Sequence, residues 1–265
     1  GRDGGVIALG GGAVGDVAGF AAATYLRGIR VAHVPTTLLA MVDSSIGGKT
    51  GIDLARGKNL AGAFHQPDAV LADPSLLSSL PRRERASGFA EIVKAAFLSD
   101  GDSVAQVERS ATAVIAGDLG PTLGAIALAA TVKAGIVGAD EREAGVRELL
   151  NFGHTLGHAY EAASRYRVTH GEAVSVGLVY AAALAEVLGL ASTSLRERLE
   201  GILRAASLPV RATLPARTWS YLASDKKSRA GRPRWILPRR IGRFSEVTDI
   251  GARPLRLAAA IVEGR

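Results

Sequence analysis

Gly5-Val-Ile-Ala-Leu-Gly-Gly-Gly-Ala-Val-Gly-Asp16 decides the fold class. The apolar run at 6–9 ends in three glycines, and residues 13–25 then read as a helix. This is a strand–glycine turn–helix unit, and residues 30–34 supply the next strand-like run. Glycines in such a turn let the backbone approach a phosphate, and free amides at the helix start favour an anion. The spacing is not the usual GxGxxG register, and a plain tight turn would use the same residues.

Working outward, Pro35-Thr-Thr37 is expected to cap a short helix at 38–41. Residues 46–64, rich in glycine and short β-like pieces, read as a hairpin, and 69–72 as a strand. From Pro74 the pattern turns helical, with helices expected at 82–97, 118–137, 148–163, 172–188 and 193–206. A late strand at 234–237, hairpinned with 244–247, precedes a final helix from Pro254. The expected class is α/β: a partial Rossmann-like NAD-binding domain over 1–73, then a mostly α-helical metal- and substrate-binding domain over 74–265. The first part holds few strands for a doubly wound sheet.

The 265 residues are 48% hydrophobic, which fits a globular protein with a sizeable core. No run of about eighteen uncharged apolar residues occurs, and residues 1–10 do not read as a signal peptide. Zero cysteines exclude disulfides and thiolate metal sites, and the cytoplasm is the expected compartment. A net charge of +7 admits nucleic acid, membrane surfaces or anionic metabolites. Aromatics are only 5% and are not interleaved with the basic runs, so neither nucleic acid nor membrane is expected as a partner. A phosphorylated small molecule suits lysines set among apolar residues better.

Three of the five histidines fall in Arg147-Glu-Leu-Leu-Asn-Phe-Gly-His-Thr-Leu-Gly-His158 and His170-Gly-Glu172. His154 and His158 are four apart and share a helix side. Neutral imidazoles with a carboxylate suit a divalent metal, Zn²⁺ first. Glu91 and Lys94 lie three apart among Phe89, Ala90, Ile92, Val93 and Ala95, where a charge needs a partner or ligand. Glu91 is therefore the candidate oxygen ligand beside His154 and His170; a mutual Glu91–Lys94 pair is the alternative. Val42-Asp-Ser-Ser-Ile-Gly-Gly-Lys-Thr50 ends like a P-loop, but the preceding glycine is wrongly spaced for ATP.

With these pieces in place, the chain resembles the 3-dehydroquinate synthases of the sugar phosphate cyclase group. The likeness rests on Gly10-Gly-Gly-Ala-Val-Gly-Asp-Val-Ala-Gly-Phe20, Tyr25-Leu-Arg-Gly28, Val34-Pro-Thr-Thr-Leu-Leu39, Val42-Asp-Ser-Ser-Ile-Gly-Gly-Lys49, Gly57-Lys-Asn59, Ala90-Glu-Ile-Val-Lys94, Asn151-Phe-Gly-His-Thr-Leu-Gly-His158 and His170-Gly-Glu-Ala173, in this order and spacing. It implies conversion of 3-deoxy-D-arabino-heptulosonate 7-phosphate to 3-dehydroquinate and phosphate in the shikimate route. NAD⁺ is recycled within each turnover, and the metal is Zn²⁺ or Co²⁺. By the resemblance, Glu91, His154 and His170 are metal ligands and His158 serves proton transfer. Lys49, Lys94, Arg147 and Asn151 are catalytic, while Lys58, Asn59, Lys133 and Lys227 bind substrate. Arg27 matches a residue that family dimers lend to the neighbouring site, which implies a homodimer. Gly11, Gly12, Ala13, Asp16, Thr36, Thr37 and Asp43 match NAD-contacting positions. Family members carry further chain ahead of the first strand, including the acidic residue that holds the adenosine ribose, so a fragment or a partner-complemented chain is expected. A non-catalytic metal-holding homologue, another sugar phosphate cyclase and a metal-dependent polyol dehydrogenase stay open as alternatives.

Overall fold

The opening run forms strand β1 (Gly5–Gly10), followed by helix α1 (Gly12–Thr24) and strand β2 (Arg30–Pro35). β1 and β2 pair in parallel from Gly5 opposite Arg30 to Gly10 opposite Pro35, and β5 (Ala69–Val70) adds to the far side of β2. The computed structural model describes residues 1, 3–54, 57–223 and 233–265, with all of these side chains except 57–59 and 223. It divides into two compact units: Gly1–Gly88 with Ala113–Arg147, and Phe89–Thr112 with Glu148–Arg265.

In the first unit, the alternation along β1 buries Ala8 but leaves Ile7 75% and Leu9 63% exposed. One face of this parallel strand is therefore bare and apolar, where parallel sheets are ordinarily covered on both faces. The expected hairpin is present as β3 (Lys49–Leu54) and β4 (Gly57–Phe64), antiparallel. The short helix expected at 38–41 runs on into a π-helical turn, Ala40–Ser44. Ser45 closes that turn by donating its hydroxyl to the Ala40 carbonyl at 2.6 Å. Widened turns of this kind often mark functional sites, and this one carries Asp43. Helix α4 (Leu119–Ala139) packs against it. Among the described residues α4 is the one helix long and apolar enough to cross a membrane. Only part of this helix is covered, with Leu119 and Leu123 exposed, and its Lys133 is buried and paired with Asp43.

Helices α2 (Arg82–Ser99) and α3 (Gly101–Ala116) follow the sheet. Helix α3 is not among the helices expected from the sequence, although Val104, Val107, Ala111 and Val114 repeat at helical spacing and are buried. In the second unit, α6 (His170–Val187) is the central helix. Fourteen of its residues are buried, so it has no polar face, and it contacts α5 (His154–Ala163), α7 (Thr193–Ala205), α9 (Ala252–Glu263) and β6 (Trp235–Arg240). β6 pairs antiparallel with β7 (Arg243–Val247), as the sequence suggests. A short helix α8 (Arg217–Ala223), also unforeseen, packs on α5.

The single helix expected over 148–163 is instead a 3₁₀ segment, Val146–Asn151, then α5. The break is Gly153 at φ +79°, a left-handed conformation that a β-carbon would strain. A Cβ there would also meet the Leu178 side chain at 2.8 Å. On the facing helix, a Cβ at Gly177 would run into the Gly153 carbonyl and would lie 2.9 Å from the Gly157 amide nitrogen. The α5–α6 contact is thus close because these positions carry no side chain. Gly177→Ala is expected to cost about 3 kcal/mol or more, since neither backbone can yield. Urea unfolding of the variant with an unchanged midpoint would refute this packing account.

Candidate functional site

The second unit builds a cluster around Glu91 of α2. Its carboxylate is buried among the apolar residues of that helix, so it needs compensating charge. Lys94, one helical turn on and equally buried, forms an ion pair with Oε2, although Oε2 lacks the alignment of a hydrogen bond. The pair foreseen as an alternative therefore exists, and it coexists with the histidine cluster. His154 Nε2 lies 3.3 Å and His170 Nε2 3.2 Å from Oε1.

His154 opens α5 directly after the Gly153 break. His170 is the first residue of α6, fixed by a capping box. Thr169 Oγ1 accepts from the Glu172 amide at 3.3 Å, and a Glu172 carboxylate oxygen accepts from the Thr169 amide at 2.8 Å. One ligand atom each from Glu91, His154 and His170 lies within 4.8 Å of the others. His158 is half-buried, its ring centroid 5.1 Å from that of His154 and 6.1 Å from that of His170. The other two histidines, His33 and His65, lie in the first unit. Burial pushes His33 down, and His65 Nε2 meets the Ile29 carbonyl at 2.8 Å.

The electrostatics act differently on the three groups. Burial alone would raise the Glu91 carboxyl, yet Lys94, His154 and His170 hold it well below the usual carboxylate range. Burial and the Lys94 charge push His154 down, which keeps a neutral imidazole with a free lone pair. Burial also disfavours charge on His170, but the Glu161 and Glu91 carboxylates outweigh it and raise the ring to about 9. A carboxylate and two imidazoles brought this close make a donor set of the Zn²⁺ or Co²⁺ type.

The first unit gathers a separate set. Lys133 Nζ donates to the Asp43 carbonyl at 2.5 Å and to its carboxylate at 2.7 Å. Lys49, half-exposed at the start of β3, pairs with Glu143. Arg147 is 1% exposed. Its guanidinium donates to the Gly47 carbonyl at 2.7 Å and to the Glu141 carbonyl, and it lies 5.5 Å from the Phe64 ring. Its Nε has no hydrogen-bond partner among the described residues.

Gly11 is the N-cap of α1 and makes no side-chain cap bond, so the amides of the first turn have no side-chain acceptor there. A Cβ at Gly11 would meet Thr37 Cγ2 at 3.0 Å, and one at Gly12 would meet Ser44 Oγ at 3.0 Å. These glycines draw the turn against the 36–44 segment, where the Thr36 amide donates to the Gly10 carbonyl at 2.9 Å. Ala13, next in α1, is exposed, and Asp16 stands one turn along that helix. Burial, then Asp53 and Asp43, raise the Asp16 carboxyl to about 6 against the opposing pull of Lys133.

Arg27 is exposed, at φ +70°. Asn151 ends the 3₁₀ segment, half-buried. The side chains of Lys58 and Asn59, and Lys227 entirely, lie outside the described residues. Glu143 and Glu161 were not foreseen. Glu161 could have been found from spacing, since 154, 158 and 161 fall on one helix face; nothing local signals Glu143.

Two family models match, described as 3-dehydroquinate synthase N-terminal over residues 1–87 and 3-dehydroquinate synthase C-terminal over residues 88–228. The 3-dehydroquinate synthase of Mycobacterium leprae is 52% identical over 241 residues, covering 89% of this chain and 66% of the relative. That of Symbiobacterium thermophilum is 49% identical over 261 residues, covering 96% and 72%. The chain thus spans about two thirds to three quarters of the length of such relatives. Among solved structures, 2-epi-5-epi-valiolone synthase from Streptomyces hygroscopicus, with NAD⁺ and Zn²⁺ bound, superposes with a TM-score of 0.91 at 30% identity, over 98% of this chain and 73% of that one. A 2-deoxy-scyllo-inosose synthase complexed with carbaglucose-6-phosphate, NAD⁺ and Co²⁺ gives 0.89 at 29%, over 99% and 75%. A probable glycerol dehydrogenase from Sinorhizobium meliloti shares the fold at 16% identity and a TM-score of 0.67.

The Asp16 environment has a measurable consequence in the ligand-free protein. Its folded pKa lies above the unfolded value of 3.8, so its favourable contribution is present below that value and is lost as pH rises through about 6. Asp16→Asn should stabilise the protein near pH 8 by on the order of 1–2 kcal/mol, allowing for solvent screening, and should change little below about pH 4. Equal urea midpoints for variant and parent at the higher pH would contradict the burial of this charge.

Proposed function

The chain belongs to the 3-dehydroquinate synthase family, and from that membership we propose that it acts in the conversion of 3-deoxy-D-arabino-heptulosonate 7-phosphate to 3-dehydroquinate and phosphate, with NAD⁺ recycled in each turnover. The observation that carries the reading is the convergence of Glu91, His154 and His170 beside a buried lysine. These three would hold Zn²⁺ or Co²⁺. When bound, such an ion supplies Lewis acidity toward a substrate oxygen, and NAD⁺ supplies the hydride acceptor.

The remaining roles fall to this chain's own side chains. The uncapped amides at Gly12 and Ala13 offer donors to a pyrophosphate, with Gly11, Asp16, Thr36, Thr37 and Asp43 around them. Lys94 places a fixed ammonium against Glu91, which keeps the carboxylate ionised. His158 presents a ring nitrogen for moving a proton to or from the substrate. Lys49 and Lys133 are cations suited to carboxylate or phosphate, together with Lys58, Asn59, Asn151 and Lys227 by family position. Arg147 works through the backbone: it anchors the Gly47 carbonyl, two residues before Lys49. A homodimer is part of the proposal, with the exposed Arg27 offered to a second copy. So is a cytoplasmic setting, supported by the absence of cysteine.

The purified chain, given the heptulosonate phosphate with NAD⁺ and Zn²⁺, is expected to release phosphate without net NADH. His170→Ala and Glu91→Ala should bring release to background and abolish tight Zn²⁺ binding while helix content is retained. Net NADH accumulation would move the chain to the dehydrogenases. No release from folded, zinc-loaded protein would refute catalysis by this chain.

A further inference from the structure

We infer that Glu161 is the positioning residue for His170, the partner of its Nδ1–H that fixes the ring with Nε2 aimed at the cation. The inference rests on the metal reading above and adds a residue to it.

His154, His158 and Glu161 are spaced i, i+4 and i+7, which sets them on one face of α5. The Glu161 side chain is nine-tenths buried, and its Oε2 lies 3.7 Å from His170 Nδ1, an ion-pair distance a little beyond a hydrogen bond. A carboxylate taken out of water at that depth must face a donor. The α5–α6 approach that delivers it is the glycine contact described above. A Cβ at Gly157 would stand 3.2 Å from the Ala173 carbonyl of α6.

Proton placement completes the argument. A neutral imidazole carries one N–H, and a ring that gives its Nε2 lone pair to a cation must carry that proton on Nδ1. For His154 the acceptor is the Phe152 carbonyl, 3.1 Å from Nδ1. For His170, Glu161 stands on the Nδ1 side, while Glu91 stands 3.2 Å from Nε2 on the other. The two histidines thus have Nδ1 acceptors of different strength, a neutral carbonyl and an anion. A carboxylate partner makes the imidazole a better donor and holds its plane, and losing such a partner typically weakens metal binding about 10–100-fold.

The test measures Zn²⁺ affinity by competition with a chromophoric chelator. It also records the visible absorption of the Co²⁺ form and the melting temperature of the metal-free protein. Glu161→Ala should bind Zn²⁺ about 10–100-fold more weakly. Glu161→Gln, which keeps shape and an acceptor oxygen but not the charge, should lose less affinity and should shift the Co²⁺ band. Should the alanine variant fail to fold, the glutamine variant decides. Parental affinity and spectrum in the folded variants would overturn the assignment while leaving the metal site standing. So would an affinity loss that merely tracks a lower metal-free melting temperature. A parent protein that binds no Zn²⁺ would instead overturn the metal reading itself.

Discussion

The second unit is organised by the cost of one buried carboxylate. Glu91 sits in the apolar stretch of α2, where an isolated ion would be far too costly to keep. Its compensation is local in one part, since Lys94 is a single turn away on the same helix. The rest comes from sequence-distant imidazoles, and much of the unit's architecture serves to bring them in. Gly153 breaks the chain so that α5 starts at His154. The Thr169–Glu172 box starts α6 at His170. The side-chain-free contact at Gly153, Gly157 and Gly177 lets the two helices approach closely. In a site assembled this way, the charges that would hold an ion also face one another: Lys94 and the two imidazoles surround Glu91.

The first unit applies a different rule, in which cations are restrained rather than buried alone. Lys133 is tied to Asp43, Lys49 to Glu143, and Arg147 to two backbone carbonyls. Restraint lowers the entropy that an anionic ligand must remove on binding, but a carboxylate already in place must be outcompeted or turned aside. In the role proposed for Lys49 and Lys133, a ligand bearing both phosphate and carboxylate would compete with Glu143 and Asp43 better than a neutral polyol would.

Much of this was legible in the sequence because the signals are local. The strand–turn–helix start, the 46–64 hairpin and the run from Glu91 to Lys94 are each set by near neighbours, and the HxxxH spacing placed two imidazoles on one helix side. What escaped depended on distant contacts. The helix expected over 148–163 breaks at Gly153, where a side chain is excluded both by a left-handed φ and by Leu178 on another helix. Helix α3 carries an apolar repeat of its own, set between two stronger helical patterns. Glu143 owes its place to a loop pinned by Asp140, which accepts from the amides of Ala144, Gly145 and Arg147. No spacing rule reaches from that loop to Lys49.

Fold alone does not choose among the chemistries that this architecture hosts. Dehydrogenases at 13–16% identity share its course with synthases at about 30%, so the distinction must lie in side chains. A carboxylate and two histidines can serve either kind of reaction, because acidifying a hydroxyl is common to both. Sequence identity makes that distinction here: relatives 49–52% identical to this chain are 3-dehydroquinate synthases, whereas dehydrogenases that share the fold stand at 13–16%.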